Sequence, residues 1–133
     1  MTPVEVVTAL IFKDNAVLMG ERHKKKLYPL HWEFPGGKVE EGESLSDALV
    51  REVKEELHLV VKKAEEWFDD MMTYSNGVTY HVTFFVVHEF EGEPVNTEFN
   101  DIRWVTPEMM PTLRHLSGNA QIIHKLLTEG YPA

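Results

Sequence analysis

Cysteine is absent from the 133-residue chain, which removes disulfides, thiolate zinc sites and cysteine nucleophiles together. Long apolar runs are missing too. None approaches the roughly 20 residues of a membrane span, and Met1-Thr2-Pro3 lacks the basic-then-apolar pattern of a leader. No membrane partner is expected, and the cytoplasm is the expected location. Positive charge is scarce, with 13 Lys and Arg against 22 Asp and Glu for a formal charge of -9. That balance opposes binding to a nucleic-acid polymer, whose affinity rests on neutralised phosphates. It leaves open a small phosphorylated ligand, because divalent cations held by clustered carboxylates invert the local charge. With 43% hydrophobic and 26% charged residues and no low-complexity block, a single domain over 1–133 with a real core is expected.

The chain reads as strands, helix, strands, helix. Val4 to Phe12 is rich in β-branched residues and ends at the turn signal Lys13-Asp14-Asn15, after which Ala16 to Met19 completes a hairpin. Following Arg22, the run His23-Lys24-Lys25-Lys26 is expected to be a solvated basic loop. Pro35-Gly36-Gly37 is expected to break regular structure ahead of Glu41-Gly42-Glu43. Ser44 with Asp47 resembles a capping box, so a helix should run from about Leu45 to Leu57 with Leu49, Val53 and Leu57 as its buried stripe. Asn76-Gly77 should turn a long hairpin between strands around Met71 to Tyr74 and Val78 to Phe90. Ile102 to Val105 then forms a short strand, and Asn119 begins a final helix over Ala120 to Leu127. This order suits a mixed sheet with helices packed on it.

The chemistry lies on the first helix. At about 100° per residue, Glu52, Glu55 and Glu56 share an arc of roughly 100°, beside the buried stripe and not opposite it. Three like charges this close repel unless something positive sits between them. Hard carboxylate oxygens suit Mg²⁺, with Mn²⁺ able to substitute. The bland alternative is a solvated acidic face balanced by Arg51 pairing with Glu43 and Glu55. Gly36-Gly37 favours the metal reading, since a loop without side chains just before the helix lets backbone approach a metal or phosphate.

Gly37, five residues, Glu43, seven residues, then Arg51-Glu52-Val53-Lys54-Glu55-Glu56 resembles the signature box of the Nudix hydrolases at every fixed position to that point. His58 departs from it, standing where the box ordinarily has Gly before its last aliphatic residue, here Leu59. His tolerates positive φ better than most residues, so the change puts helix-end geometry in question and touches no ligand. The resemblance implies a Nudix α/β/α sandwich, a mixed sheet between helices. It also implies water attack on the diphosphate of a small nucleotide, which for a triphosphate gives a monophosphate and pyrophosphate. Glu52, Glu55 and Glu56 would bind metal with the Gly36 carbonyl; Arg51 would orient Glu52 and pair with Glu43, Glu52 would activate the water, and Lys38 would touch a phosphate.

Outside the box, Trp32-Glu33-Phe34-Pro35-Gly36-Gly37-Lys38 and Glu91-Gly92-Glu93-Pro94 are similar to the MutT branch, whose members remove oxidised guanine nucleotides. That likeness makes Glu98 a further metal carboxylate, Asn119 a base-reading Asn and Arg22 a base-contacting Arg. The corresponding structural roles are a loop charge, a helix N-cap and a strand-end surface residue. Rival substrates are a cytosine nucleotide, ADP-ribose or a dinucleoside polyphosphate, the last suggested by Tyr74, which otherwise reads as a sheet tyrosine. A rival of another class is a Nudix-like sensor that binds without turnover; such domains usually lose box carboxylates, and this chain keeps them.

Overall fold

The computed structural model describes residues 2–130. Strand β1 (Val4–Lys13) is the hub of a seven-stranded mixed sheet. Its end turns at Asp14, in the left-handed region at φ 56, into antiparallel β2 (Ala16–Glu21). β2 carries β3 (Trp32–Glu33) and, on its other side, β7 (Asp101–Val105). Along Val4 to Ile11, β1 pairs in parallel with β6 (Thr79–Glu91), which continues the hairpin from β5 (Val60–Thr73) through the turn at Gly77. The β-branched pair Val60 and Val61 suggests a strand start from sequence, and β5 does begin there; it runs on into the segment around Met71 as one strand, its bulged register with β6 joining the two.

The two helices, α1 (Leu45–Leu57) and α2 (Ala120–Glu129), cover opposite faces. Side chains alternate along a strand, so β1 sends Val7, Ala9 and Ile11 to Ala48, Leu49, Val53 and Leu57 of α1. Leu10 goes the other way, with Val82, Phe84 and Val86 of β6, to Ile122, Ile123 and Leu126 of α2. This is the α/β/α sandwich. Leu49 is 1% exposed, and truncating such a residue to Ala costs about 2–5 kcal/mol, so the stripe fixes the rotation of α1 and hence the direction of its carboxylates.

The ends of α1 follow from their residues. Ser44 Oγ accepts the Asp47 N–H at 3.1 Å, satisfying one of the orphan donors of the first turn. At the other end His58 adopts φ 59, ψ 25, and its N–H bonds to Lys54 O, the termination that Gly ordinarily supplies. The helix therefore stops at Leu57 despite the missing glycine.

One local expectation is corrected. Gly36 to Lys38 do not form an open loop but strand β4 (Gly36–Lys38), antiparallel to Val6, Val7 and Thr8 of β1. A Cβ on Gly36 would collide with the Val7 carbonyl, so glycine here serves close backbone approach and not an unusual φ. The consequence is functional, because β4 lies against α1.

Candidate active site

A methyl group on Gly37 would lie 2.5 Å from the Glu52 carboxylate; α1 and β4 are in contact there only because that position has no side chain. Four residues further along the helix, Glu56 Oε1 accepts the Gly36 N–H at 3.0 Å. In an antiparallel strand one residue's N–H and C=O point to the same edge. Ala9 N–H to Pro35 O and Val39 N–H to Glu5 O fix the alternation, so the Gly36 carbonyl faces the same side as its amide, away from β1.

Arg51 organises the other carboxylates. It donates Nε and Nη2 to Glu43 at 2.7 and 2.9 Å, Nη1 to Glu52 at 2.8 Å and to Glu55 at 3.3 Å, and Nη2 to the Lys38 carbonyl at 3.1 Å. A planar guanidinium suits such forked contacts. The Arg51 bond, reinforced by the Glu40 amide, holds the Glu43 carboxyl down at about 2. Glu52 and Glu56 behave oppositely. Burial raises the Glu52 pKa against the pull of Arg51. It pushes Glu56 up to about 8, the Gly36 amide opposing and the charges of Glu52, Glu33 and Glu98 adding.

Among the described residues no three His, Asp or Glu side chains stand gathered as a ready metal cage. The reason is visible in their partners: Glu55 is turned to Arg51, and Glu98 to Lys26 at 2.5 Å. The donor set still fits a hard divalent cation, being all oxygen and buried beyond its own charge compensation.

Gly36, Gly37, Lys38, Glu56, Glu98, Arg22 and Lys26 share a cavity of about 350 Å³. It runs, through shared Val6, Arg22, Glu33 and Lys38, into a second of about 310 Å³ closed by Leu27, Tyr28, Tyr74, Tyr80 and Leu116. Together they form one cleft with a charged end and an aromatic end. Arg22, just past the end of β2, is half-buried and held, bonding Glu33 at 3.1 Å and Leu27 O at 2.7 Å. Tyr74 falls just past the end of β5 and lines the cleft. Lys26 is likewise not simply solvated.

Asn119 occupies the N-cap position of α2 but makes no side-chain cap bond. It is buried, its Nδ2 3.4 Å from Trp32 O, and it is Leu116 that reaches the cavity wall. Glu33, Tyr28 and Tyr80 escaped the sequence reading. Glu33 had left a signal: between Trp32 and Phe34, both core residues, strand alternation must send it to the other face. Burial raises its pKa although Arg22 pulls it down.

The NUDIX domain model matches residues 2–126 of the chain. The chain belongs to the NUDIX domain family. This Nudix hydrolase is 36% identical over 127 residues to the 8-oxo-dGTP diphosphatase of Haemophilus influenzae, covering 95% of the chain and 93% of that relative. It is 35% identical over 108 residues to the CTP pyrophosphohydrolase of Escherichia coli, with 81% and 79% covered. The solution structure of the Escherichia coli ORF135 protein matches with a TM-score of 0.85 at 29% identity, over 97% of this chain and 94% of the other. Nudix hydrolases generally use a divalent metal. Among the described residues no helix is long and apolar enough to cross a membrane.

Proposed function

We propose that this Nudix hydrolase converts a nucleoside triphosphate to a nucleoside monophosphate and pyrophosphate, with an oxidised guanine nucleotide as the first candidate substrate. The observation that carries the reading is the continuous cleft, which offers carboxylates and glycine backbone to a metal-bound diphosphate at one end and three tyrosines to a base at the other. Glu52, Glu55, Glu56 and Glu98 would hold Mg²⁺ together with the Gly36 carbonyl. When bound, the cation neutralises phosphate charge and lowers the pKa of water.

The chain's own residues do the rest. Arg51, fixed by Glu43, holds one oxygen of Glu52 and leaves the other for the attacking water, whose proton Glu52 accepts. Lys38 and Arg22 line the junction of the two cavities and meet the phosphates there. Resemblance to the Haemophilus influenzae enzyme supports oxidised guanine; resemblance to the CTP enzyme makes a cytosine nucleotide the second reading. The test is a pyrophosphate-release screen over ordinary and oxidised triphosphates with Mg²⁺. Release of pyrophosphate with oxidised dGTP preferred supports the reading, and preference for a cytosine nucleotide selects the second. Release of orthophosphate, or binding without turnover, overturns both.

A further inference from the structure

Lys26 is a cation that the box does not supply. Its Nζ lies 2.5 Å from Glu98 Oε1, and both side chains line the cavity that contains Gly36, Gly37 and Glu56. The segment presenting it is built: Arg22 N–H bonds His31 O at 2.8 Å, Leu30 N–H bonds Arg22 O at 3.0 Å, and Lys26 N–H bonds His23 O at 3.0 Å. Tyr28 and Leu30 are held at φ 55 and 58, a conformation that bulky side chains keep only when their surroundings impose it. Tyr28 also bridges across to Ser75 at 3.3 Å.

Glu98 is fixed as firmly. Thr97 Oγ1 donates to the last-turn carbonyls of Glu55 and Glu56 at 2.7 and 2.9 Å, and Asn96 Oδ1 accepts the Glu98 and Phe99 amides. Two shaped loops thus bring an ammonium to a carboxylate in the same cavity as Glu56 and Glu33. Arg51 cannot serve there, being engaged with Glu43, Glu52 and Glu55.

We propose that Lys26 is a placeholder cation, which holds Glu98 until a divalent cation takes that carboxylate and then transfers its contact to the substrate's polyphosphate. The inference rests on the metal-dependent reading above. An ammonium has three donors and no acceptor, so beside a divalent cation it is repelled. Its flexible four-carbon stem lets Nζ reorient with the backbone in place. On release it faces a cavity whose other basic walls are Arg22 and Lys38, and phosphate is the anion that such a set attracts.

Lys26→Gln and the charge-keeping Lys26→Arg separate this from a merely structural ion pair. Titration with Mn²⁺ alone, followed by electron paramagnetic resonance, should show Lys26→Gln binding the ion about two- to fivefold tighter, the ratio expected when an exposed competing pair is removed. Lys26→Arg should stay close to wild type. Calorimetry with inorganic tripolyphosphate in saturating Mg²⁺ should show the same Gln variant binding about tenfold more weakly or worse, the loss of one charge-assisted bond. Opposite movement of the two affinities supports the proposal. Unchanged or weaker Mn²⁺ binding by Lys26→Gln, with wild type binding the ion normally, overturns it alone; wild type that binds no Mn²⁺ overturns the metal-dependent reading beneath it.

Discussion

Beside the charged end of the cleft, where Gly37 meets Glu52, Arg51 ties Glu43, Glu52 and Glu55 by hydrogen bonds of 2.7 to 3.3 Å, and all but Glu43 ride on α1. At the aromatic end the ties are fewer and longer, as between Tyr28 and Ser75 at 3.3 Å. Tyr28 and Tyr74 meet at a ring separation of 6.0 Å and Tyr74 and Tyr80 at 5.4 Å, and the three come from a loop, a hairpin end and a strand. The first arrangement sets charge and geometry with little tolerance, as general-base and metal chemistry require. The second offers apolar faces that accept many bases by stacking. In the proposed reading, substrate choice can change at this end without touching the carboxylates of α1, none of which lines it.

The comparison breaks first, and most severely, at Glu52. Glu52→Gln should cut kcat by about 10² to 10⁴, the range of a lost general base, while Glu56→Gln should also nearly abolish turnover. Each should leave the fold intact, because Gln is close to Glu in size and keeps an oxygen for the Arg51 or Gly36 donor. Circular dichroism and metal-free melting check this: a collapse of the fold would mean these carboxylates are structural. At the other end, Tyr74→Ala should raise KM by about five- to a hundredfold, equivalent to about 1–3 kcal/mol of lost stacking. Because Tyr74 does not line the cavity that holds Glu56 and Glu98, kcat should be nearly preserved. A kcat loss with unchanged KM would move the reacting phosphate to the aromatic end.

Asn119 sharpens the boundary between the ends. If it reads the base, Asn119→Ala raises KM for an oxidised guanine nucleotide far more than for an unmodified pyrimidine nucleotide. If the contact with Trp32 O is its whole role, the variant loses about 1 kcal/mol of stability and treats both nucleotides alike; KM ratios with melting on the same samples decide. The smallest effect is expected at His58→Gly. Relief of the left-handed strain, about 1–2 kcal/mol, is offset by the greater freedom of Gly in the unfolded chain, about 0.4–1 kcal/mol. Stability should rise by no more than about 1.6 kcal/mol, and turnover should hold. A large loss of turnover would expose a catalytic histidine.

Legibility follows the same division. The box lies on one continuous stretch of a strand, a turn and a helix, so short range in sequence keeps Glu43, Arg51, Glu52 and Glu56 near one another, and the bounds of α1 are readable from Ser44 and the Leu49, Val53, Leu57 stripe. The aromatic wall draws on Tyr28, Tyr74 and Tyr80, whose proximity depends on the strand pairing and on the bulged β5–β6 register. No local pattern encodes that. The Lys26–Glu98 pair was unreadable for the same reason, joining residues 72 positions apart. Gly36-Gly37 misled locally: glycines suggest a loop, and only the neighbouring β1 carbonyl explains why they belong to a strand.

The parallel pairing of β1 with β6 also governs when the enzyme can come into being. Val4 lies opposite Tyr80, so a nascent chain makes its first strand long before that strand's central neighbour emerges. The early β1–β2 hairpin must wait, the edge of Val4 to Ile11 that faces β6 unpaired, until translation has passed β6. Long-range closure of this kind slows folding and exposes intermediates to aggregation. Growth temperature and chaperone supply should therefore influence the yield of soluble protein more than changes to the carboxylates do, with the rate-limiting step of refolding falling at the β1–β6 seam.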